Sequence, residues 1–398
     1  MKKFWMIGIV GMLTFFSCQD ELYKDATKEF EVELGVYMPN TGVIQSFVKE
    51  HNDVLIKDLQ VSLTKKTTEE VRVSLVIEGQ EVLDKYNKQN GTDYIVLPEN
   101  MYEMEKNIVL APNAVSQTVP VVLKNLEFSP QGTYALPVKI QGGSTSLIPG
   151  ETSALLVFEP IVSIPVMKFA GSGAEDAGMF PDDFKVDVWT FEMMVMHSVY
   201  NSNNVALGGT KVVSGSSTLD EIYPRFGDVT IKYNQFQLKT AGSQIDVPLE
   251  KFSAQPNEWY MISMVYDGKK NYIYVNGELV ADREMRTGPY GLTGFWLSGR
   301  NEWLREIRFW KVARSQKQIK QSLWKSVNPD DEGLLLYYPM NGKKRDSETG
   351  EITENTTKIW DWSKSQKHLK VPSGAVMDNN GGEGYQFPPH DVLGKKTD

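Results

Sequence analysis

Short runs in which hydrophobic and polar residues alternate fill most of the chain. In the run VRVSLVI at 71–77 every second residue is aliphatic, which is the pattern of a strand with one buried face. Similar runs, separated by turn residues, extend from residue 30 to about 160, and one amphipathic helix is predicted among them at 81–89. This segment is therefore predicted to be an antiparallel β-sandwich.

A second series of strand patterns begins after two prolines and a glycine-rich stretch that lie within 160–178. The run DVWTFEMMVMHS places Trp189 and Phe191 on one face of a predicted strand. Asp-Gly and Asn-Gly pairs further along are typical of hairpin turns. The pattern predicts a second sandwich at 165–375, followed by a loose tail at 376–398. The predicted fold class is all-β, with two sandwich domains in tandem.

The N-terminus has a different pattern. Two lysines precede an apolar stretch at 4–16, which is too short for a membrane-spanning helix of about 20 residues but suits a signal peptide. Cys18, the only cysteine, follows at the end of this stretch. The arrangement resembles a bacterial lipoprotein signal, in which the cysteine is acylated and becomes the mature N-terminus, although Phe15 replaces the usual aliphatic residue. An ordinary signal peptide with a coincidental cysteine is the alternative.

The residues after the cysteine are polar. Gln19-Asp20-Glu21 resembles the export tag of surface lipoproteins in glycan-degrading bacteria, and an ordinary polar tether is the alternative. We expect residues 1–17 to be a lipoprotein signal peptide and 18–29 a tether. The resemblance implies an outer-membrane lipoprotein, exposed at the cell surface and attached to the membrane through acyl chains on Cys18.

Residues 30–160 also resemble a known domain. A tyrosine-asparagine helix end, an asparagine-glycine turn, a tyrosine and a leucine-proline-glutamate step resemble an N-terminal β-sandwich domain of bacterial surface lipoproteins. These elements are Tyr86-Asn87, Asn90-Gly91, Tyr94 and Leu97-Pro98-Glu99. The resemblance implies an immunoglobulin-like sandwich without assigned chemistry, and the motif residues are interpreted as structural.

Residues 165–375 resemble the laminin G-like, concanavalin A-like domain. The shared pattern is a tryptophan that opens a strand, a hairpin, a short glycine-flanked strand, an arginine-containing strand and a closing helix. Its elements here are Trp259, Tyr274-Val275-Asn276-Gly277, Leu297-Ser298-Gly299, Glu306-Ile307-Arg308-Phe309-Trp310 and a helix at 315–324. The resemblance implies a jelly roll, and with the first domain it implies a surface lipoprotein of a polysaccharide-utilisation system.

Composition narrows the function classes. The 398 residues carry 42 Lys and Arg against 51 Asp and Glu, a formal charge of −9, and removal of residues 1–17 would make it −11. An acidic chain argues against nucleic acid as a partner, because phosphate binding needs a basic face. One cysteine excludes an intramolecular disulfide, and four scattered histidines argue against a zinc centre.

Catalytic residues are not predicted. Hydrolases with the concanavalin A-like fold usually carry two carboxylates two positions apart on one strand, and the matching strand here has Glu192 alone among methionines. We expect Glu192 to be a hydrogen-bonding residue at the rim of a site. The protein is therefore predicted not to be an enzyme.

Sugar binding requires aromatic faces together with amides and carboxylates. In GFWLSG the alternation separates Trp296 from its apolar neighbours, and in NYIYVNG it separates Tyr272 and Tyr274 from the β-branched residues. If the β-branched side is core, all three rings point to the second face, together with Glu192 and Met194. Packing under a covering loop is an equally good interpretation of Trp296.

The same rule places Trp303 on the face of Ile307 and Phe309, and therefore in the core. Loop residues are weaker candidates for glycan contact, with ordinary loop packing as the alternative. They are Tyr223, Arg225, Tyr290, Arg300 and Asn301.

No cofactor is predicted, and calcium stays open because this fold family often holds it with loop carboxylates. The available carboxylates do not form a spaced acidic loop, and we expect them to be turn residues; they are Asp182, Asp183, Asp220 and Asp228.

The leading hypothesis is a surface-anchored, non-catalytic glycan-binding lipoprotein that captures oligosaccharide for partner hydrolases and an outer-membrane importer. An adhesion or scaffold protein that binds a protein partner is the second hypothesis, and a glycoside hydrolase is the third.

Overall fold

The computed structural model describes residues 32–129, 131–213, 218–390 and 393. Cys18 and the predicted signal peptide and tether lie outside these residues. The described chain consists mainly of strands, which confirms the predicted all-β class with more than one sandwich. Within the described residues, no helix has both the length and the apolar character needed to cross a bilayer.

The first sandwich contains thirteen strands and one α-helix among the described residues. The helix, α1, covers Gln80–Asn90, as its amphipathic pattern predicts, and a 3₁₀ turn lies at Glu99–Met101. The strands are β1 Gly35–Tyr37, β2 Gly42–Lys49, β3 Val54–Ile56, β4 Gln60–Leu63, β5 Val71–Ile77, β6 Tyr94–Val96, β7 Tyr102–Met104, β8 Asn107–Leu110, β9 Ser116–Thr118, β10 Val121–Leu123, β11 Thr133–Gly143, β12 Ser146–Leu147 and β13 Ser153–Ile164.

Two layers enclose the core of the first sandwich. One layer has the strand order β2-β13-β11-β5-β8, and the other is formed by β12-β1-β4-β9 and β3-β10-β7. Alternate residues of β5, including Val71 and Val73, point into this core. Helix α1 packs on the outside of the first layer through Leu83, so both faces of that layer are covered.

The second sandwich contains the remaining strands. Helix α2 covers Gln316–Gln321, and 3₁₀ turns lie at Thr218–Asp220 and Asn380–Gly382. The strands are β14 Val166–Lys168, β15 Ala174–Asp176, β16 Lys185–Val186, β17 Trp189–His197, β18 Val205–Ala206, β19 Gly208–Lys211, β20 Tyr223–Asp228, β21 Ile231–Thr240, β22 Ser243–Asp246, β23 Tyr260–Tyr266, β24 Lys270–Val275, β25 Glu278–Glu284, β26 Tyr290–Gly291, β27 Gly294–Leu297, β28 Glu302–Trp310, β29 Leu334–Tyr338, β30 Lys343–Arg345, β31 Ile352–Glu354, β32 Lys358–Ile359, β33 Leu369–Lys370, β34 Val376–Asp378 and β35 Tyr385–Phe387.

One long sheet forms a layer of the second sandwich. Its strand order is β25-β24-β23-β17-β28-β14-β34, with β29 on a further part of β28, and we call it the long sheet. The facing layer consists of β15-β27-β19 and β18-β20-β21-β22, joined by backbone hydrogen bonds between β19 and β20. Trp189 and Phe191 of β17 enter the core between the layers, as the alternation predicts.

A β-bulge in β28 changes which residues share a face. Glu306 has a left-handed backbone with φ of 52°, and the pairing with β17 shifts by one residue at this point. Trp303 therefore lies on the outer face of the long sheet, whereas Ile307 and Phe309 point into the core. The prediction that these three residues share a face is wrong, although Trp303 is buried.

Helix α2 covers part of the outer face of the long sheet. Ser315 caps it, because its hydroxyl accepts a hydrogen bond from the Gln318 N–H and the Gln318 side chain accepts one from the Ser315 N–H. Ile319 then packs against Val265 and Tyr274 of the sheet. The face that was predicted to be open to ligand is thus covered by the chain itself.

The segment after 375 is not a loose tail, so that prediction is wrong. Strand β34 pairs with β14, and β35 pairs with the end of β13. Phe387 is fully buried on the outer face of the long sheet, next to Met194 and Trp303. Burial of these side chains holds the segment in place.

Candidate functional site

Trp296 lies on strand β27 in the layer opposite the long sheet. Its neighbours Phe295 and Leu297 point into the core, so the alternation turns Trp296 to the outer face, where it is half-buried. Glu175 of β15 and Gly209 of β19 are its partners on the two adjacent strands. The indole is therefore presented on a sheet surface rather than in a loop.

Gly209 makes room for this indole. A Cβ at residue 209 would lie 2.3 Å from the Ile222 carbonyl oxygen and 3.2 Å from the Trp296 Nε1. The indole N–H donates to the Thr210 carbonyl oxygen at 3.3 Å, and the Tyr223 ring lies 6.2 Å from the Trp296 ring. These contacts fix the plane of the ring.

Charged groups flank the indole on one side. The Lys211 Nζ lies 5.8 Å from the centre of the Trp296 ring and 2.8 Å from a carboxylate oxygen of Glu175. Both side chains are substantially exposed, so this ion pair contributes little stability but supplies a donor and an acceptor beside the ring.

A cleft of about 680 Å³ opens beside Trp296 at one end of the sandwich, and we call it the Trp296 cleft. Its size is within the range of small-molecule sites. The loop after β27 contributes the exposed Arg300 and Asn301, and the segment after β17 contributes His197, Asn201 and Ser202. The cleft thus combines an aromatic face with amide, hydroxyl and guanidinium groups.

Two buried titratable groups lie at the base of this end of the sandwich. His197 and Glu302 are paired residues on the adjacent strands β17 and β28, and both are at most 2% exposed. Burial lowers the pKa of His197 to about 4 and raises the pKa of Glu302 to about 8. At neutral pH both side chains are therefore uncharged.

The structure brings some of the predicted site residues together. Trp296, Arg300 and Asn301 line the Trp296 cleft, and Tyr223 contacts the indole from the neighbouring strand. Desolvation raises the pKa of Tyr223, which keeps its hydroxyl protonated as a hydrogen-bond donor.

Glu192 does not lie at the rim of a site, so the expected role is wrong. It is fully buried on the outer face of the long sheet, because α2 and the following segment cover that face. Its carboxylate accepts from Arg314 at 2.8 Å and from the Trp310 indole at 3.0 Å, and Arg308 lies at 3.4 Å. Glu192 is part of a buried ion-pair network.

The predicted tyrosines do not join Trp296, which belongs to the other layer of the sandwich. Tyr274 is buried under Ile319 of α2, and Tyr272 donates its hydroxyl hydrogen to Asp267 at 3.0 Å beside it. Tyr290 is fully buried in the core against Trp189. Their placement contradicts the prediction that Tyr272 and Tyr274 share a site with Trp296.

Arg225 is also buried rather than available to a ligand. It donates to Gln237 at 2.6 Å and to Asn204 at 2.7 Å and forms an ion pair with Asp228, which joins β18, β20 and β21. Asp220 is paired with Arg286. Among the described residues, no three potential metal-ligating side chains of His, Cys, Asp or Glu come together.

Four polar residues of the site were missed by the sequence analysis. Glu175, Asn201 and Ser202 lie in loops or short strands far along the chain from Trp296, and no local pattern marks them. His197 ends the tryptophan-containing strand β17, whose alternation with Val195 could have indicated a polar residue at the end of a core face.

Two family models match the chain. Residues 28–147 match the model of an N-terminal domain family, and residues 182–320 match a laminin G-like model described as the concanavalin A-like lectin/glucanases superfamily. The chain therefore carries an N-terminal domain of the first kind and a concanavalin A-like domain of the second. No curated protein matches the chain.

Solved structures share the fold. A Bacteroides ovatus protein, provisionally described as carbohydrate binding, is 23% identical with a TM-score of 0.54, and the match covers 86% of this chain and 97% of that one. Bacteroides thetaiotamicron EndoBT-3987, solved with a Man5GlcNAc product, is 20% identical over 29% of this chain and 28% of that one, with a TM-score of 0.25. A pentraxin from Limulus polyphemus is 15% identical over 40% and 76% of the two chains, with a TM-score of 0.26.

Proposed function

We propose that this protein is a non-catalytic glycan-binding protein and that the Trp296 cleft is its binding site. The half-buried Trp296 indole on the sheet surface carries the proposal, because a fixed aromatic face can stack on the apolar face of a pyranose ring. The first domain supports this site as a spacer.

The polar residues around the indole support the same function. Asn201, Asn301 and Arg300 can exchange hydrogen bonds with sugar hydroxyls on the rim of the ring. Among the described residues that line the cleft, Glu175 is the single carboxylate, and hydrolysis by two carboxylates requires a pair. The acidic net charge favours a neutral glycan.

We further propose a cellular setting for this binding. Acylation at Cys18 would attach the protein to the outer membrane, with both sandwiches at the cell surface. There it would capture oligosaccharide and pass it to hydrolases and an outer-membrane importer. The sequence pattern around Cys18 and the lectin-like second domain support this proposal.

A glycan array followed by calorimetry tests the binding site. Residues 19–398 are screened, and each glycan that binds is titrated against the wild-type protein and Trp296→Ala. We expect Trp296→Ala to weaken binding by about 30-fold or more, because loss of a central aromatic contact typically costs 2 kcal/mol or more. Trp360→Ala, which removes a half-buried indole outside the cleft, is the matched control.

Two results would contradict the proposal. One is the absence of binding to every glycan on the array. The other is a glycan affinity that Trp296→Ala leaves unchanged.

A further inference from the structure

Buried charged side chains join the two sandwiches. Lys325 of the second sandwich donates to the Glu159 carboxylate at 2.9 Å and to the Thr133 hydroxyl at 2.7 Å, both in the first sandwich. Lys325 and Glu159 are each less than one-tenth exposed. This pair balances its own charge.

The network behind this pair does not balance. Among the described residues, three buried guanidinium groups share two buried carboxylates, those of Glu192 and Glu306. Arg314 lies 2.8 Å from Glu192, and Arg308 lies 2.7 Å from Glu306. Arg305 is left with a longer contact of 3.3 Å to the already paired Glu306.

Arg305 is therefore the cation with the fewest partners. Its side chain is 3% exposed, and its Nε has no hydrogen-bond partner among the described residues. One terminal nitrogen donates to the Trp324 carbonyl oxygen at 3.0 Å, and the guanidinium lies 4.4 Å from the Phe387 ring. A buried cation that is incompletely paired carries a desolvation cost, which an additional anion would offset.

A cavity of about 250 Å³ lies beside Arg305 at the junction of the sandwiches, and we call it the junction cavity. Arg305, Lys325 and the half-exposed Lys343 line it. The one carboxylate among its described lining residues is Glu50, which already accepts a hydrogen bond from the Phe128 N–H at 2.7 Å. A chain with a net charge of −9 thus places three cations around one cavity.

Neutral hydrogen-bonding groups complete the lining. Ser129, Ser326 and Asn341 lie on its wall, and Trp362 adds an apolar surface. The volume is slightly below that of sites for drug-sized ligands, which limits the occupant to about one monosaccharide. Cations, hydroxyl groups and an indole together suit a polar molecule with one anionic group.

We propose that the junction cavity binds a small carboxylate-bearing molecule of monosaccharide size, of the uronic acid class, and that Arg305 pairs with its carboxylate. The ligand would supply the anion that the buried network lacks. This site is separate from the Trp296 cleft, and the proposal does not depend on glycan binding there.

Calorimetric titration with sodium glucuronate at constant ionic strength tests the proposal, with glucose as the neutral probe. We expect glucuronate to bind at least tenfold more tightly than glucose. Arg305→Met, which removes the charge and keeps the length, should weaken glucuronate binding at least tenfold, and Lys343→Gln should weaken it severalfold. Lys232→Gln, which removes an exposed charge elsewhere in the second sandwich, should leave it unchanged.

Several results would overturn the proposal. Glucuronate that binds no better than glucose is one, and wild-type affinity in the folded Arg305→Met protein is another. Loss of glucuronate binding in Trp296→Ala would place the anion in the Trp296 cleft instead. If Arg305→Met does not fold, as judged by circular dichroism, unchanged binding in Lys343→Gln overturns the proposal and weaker binding supports it.

Discussion

Replacement of Glu302 by glutamine should change how the stability of the protein depends on pH. Glu302 is fully buried, and burial raises its pKa from the ordinary value of 4.5 to about 8. The folded protein therefore keeps a proton that the unfolded chain has already lost at neutral pH. The stability from this group is complete below pH 4.5 and is lost as the pH rises through 8.

The size of the effect follows from the two pKa values. Each unit of difference in pKa corresponds to about 1.4 kcal/mol. Between pH 6 and pH 8 the wild-type protein should lose about 2 kcal/mol of unfolding free energy through Glu302, with a smaller slope near pH 8, where the folded carboxyl begins to ionise. His197, whose pKa is lowered to about 4, destabilises the fold mainly below pH 6.5 and is present in both proteins.

Urea denaturation at pH 6 and pH 8 measures this difference. Glu302→Gln keeps a neutral side chain of similar shape, so its unfolding free energy should lose about 2 kcal/mol less than that of the wild type over this range. Glu250→Gln, at an exposed position of the same sandwich, should follow the wild type. A Glu302→Gln protein with the wild-type pH dependence would refute the assigned protonation state.

Three further substitutions test other features by chemical denaturation. Phe387→Ala should cost about 3–5 kcal/mol because the ring is fully buried, whereas less than 0.5 kcal/mol would mean that the C-terminal segment is loose after all. Gly209→Ala should cost about 1–3 kcal/mol because its Cβ would overlap the Ile222 carbonyl; Gly142→Ala, where a Cβ meets no atom within 4 Å, is the control, and equal effects would contradict the argument. Lys325→Met should cost about 3–5 kcal/mol because Glu159 stays buried without its cation, and the loss should be largely recovered by adding Glu159→Gln; no recovery would count against the pairing.

Local alternation predicted the strands well where pairing is regular. Trp189 and Phe191 enter the core of the second sandwich and Glu192 faces away from it, as the run of residues around them indicates. The same rule failed for Trp303, because the left-handed Glu306 inserts a residue into β28 and exchanges the faces. A bulge of this kind has no mark in the hydrophobic pattern, since Glu306 is neither glycine nor asparagine.

The candidate site was predicted in part for a similar reason. Arg300 and Asn301 follow Trp296 within five residues, so a loop at the end of one strand brings them to the same cleft. Tyr274 was assigned correctly to the outer face of its sheet but not to its buried state, because the covering residue Ile319 comes 45 positions later. Which face is covered is decided by long-range packing, and alternation contains no information about it.

The pairing of β35 with β13 affects the order in which the molecule can be completed. Residues 385–387 are hydrogen-bonded to residues 162–164, more than 200 positions earlier in the chain. Synthesis delivers the first sandwich early, but the edge of β13 and the methionine surface beside it stay uncovered until almost the whole chain has been made. An interrupted chain would therefore expose an unpaired strand edge next to apolar side chains, which is a template for aggregation. The last strand thus acts as a check on completeness, since only a full-length chain can cover that edge.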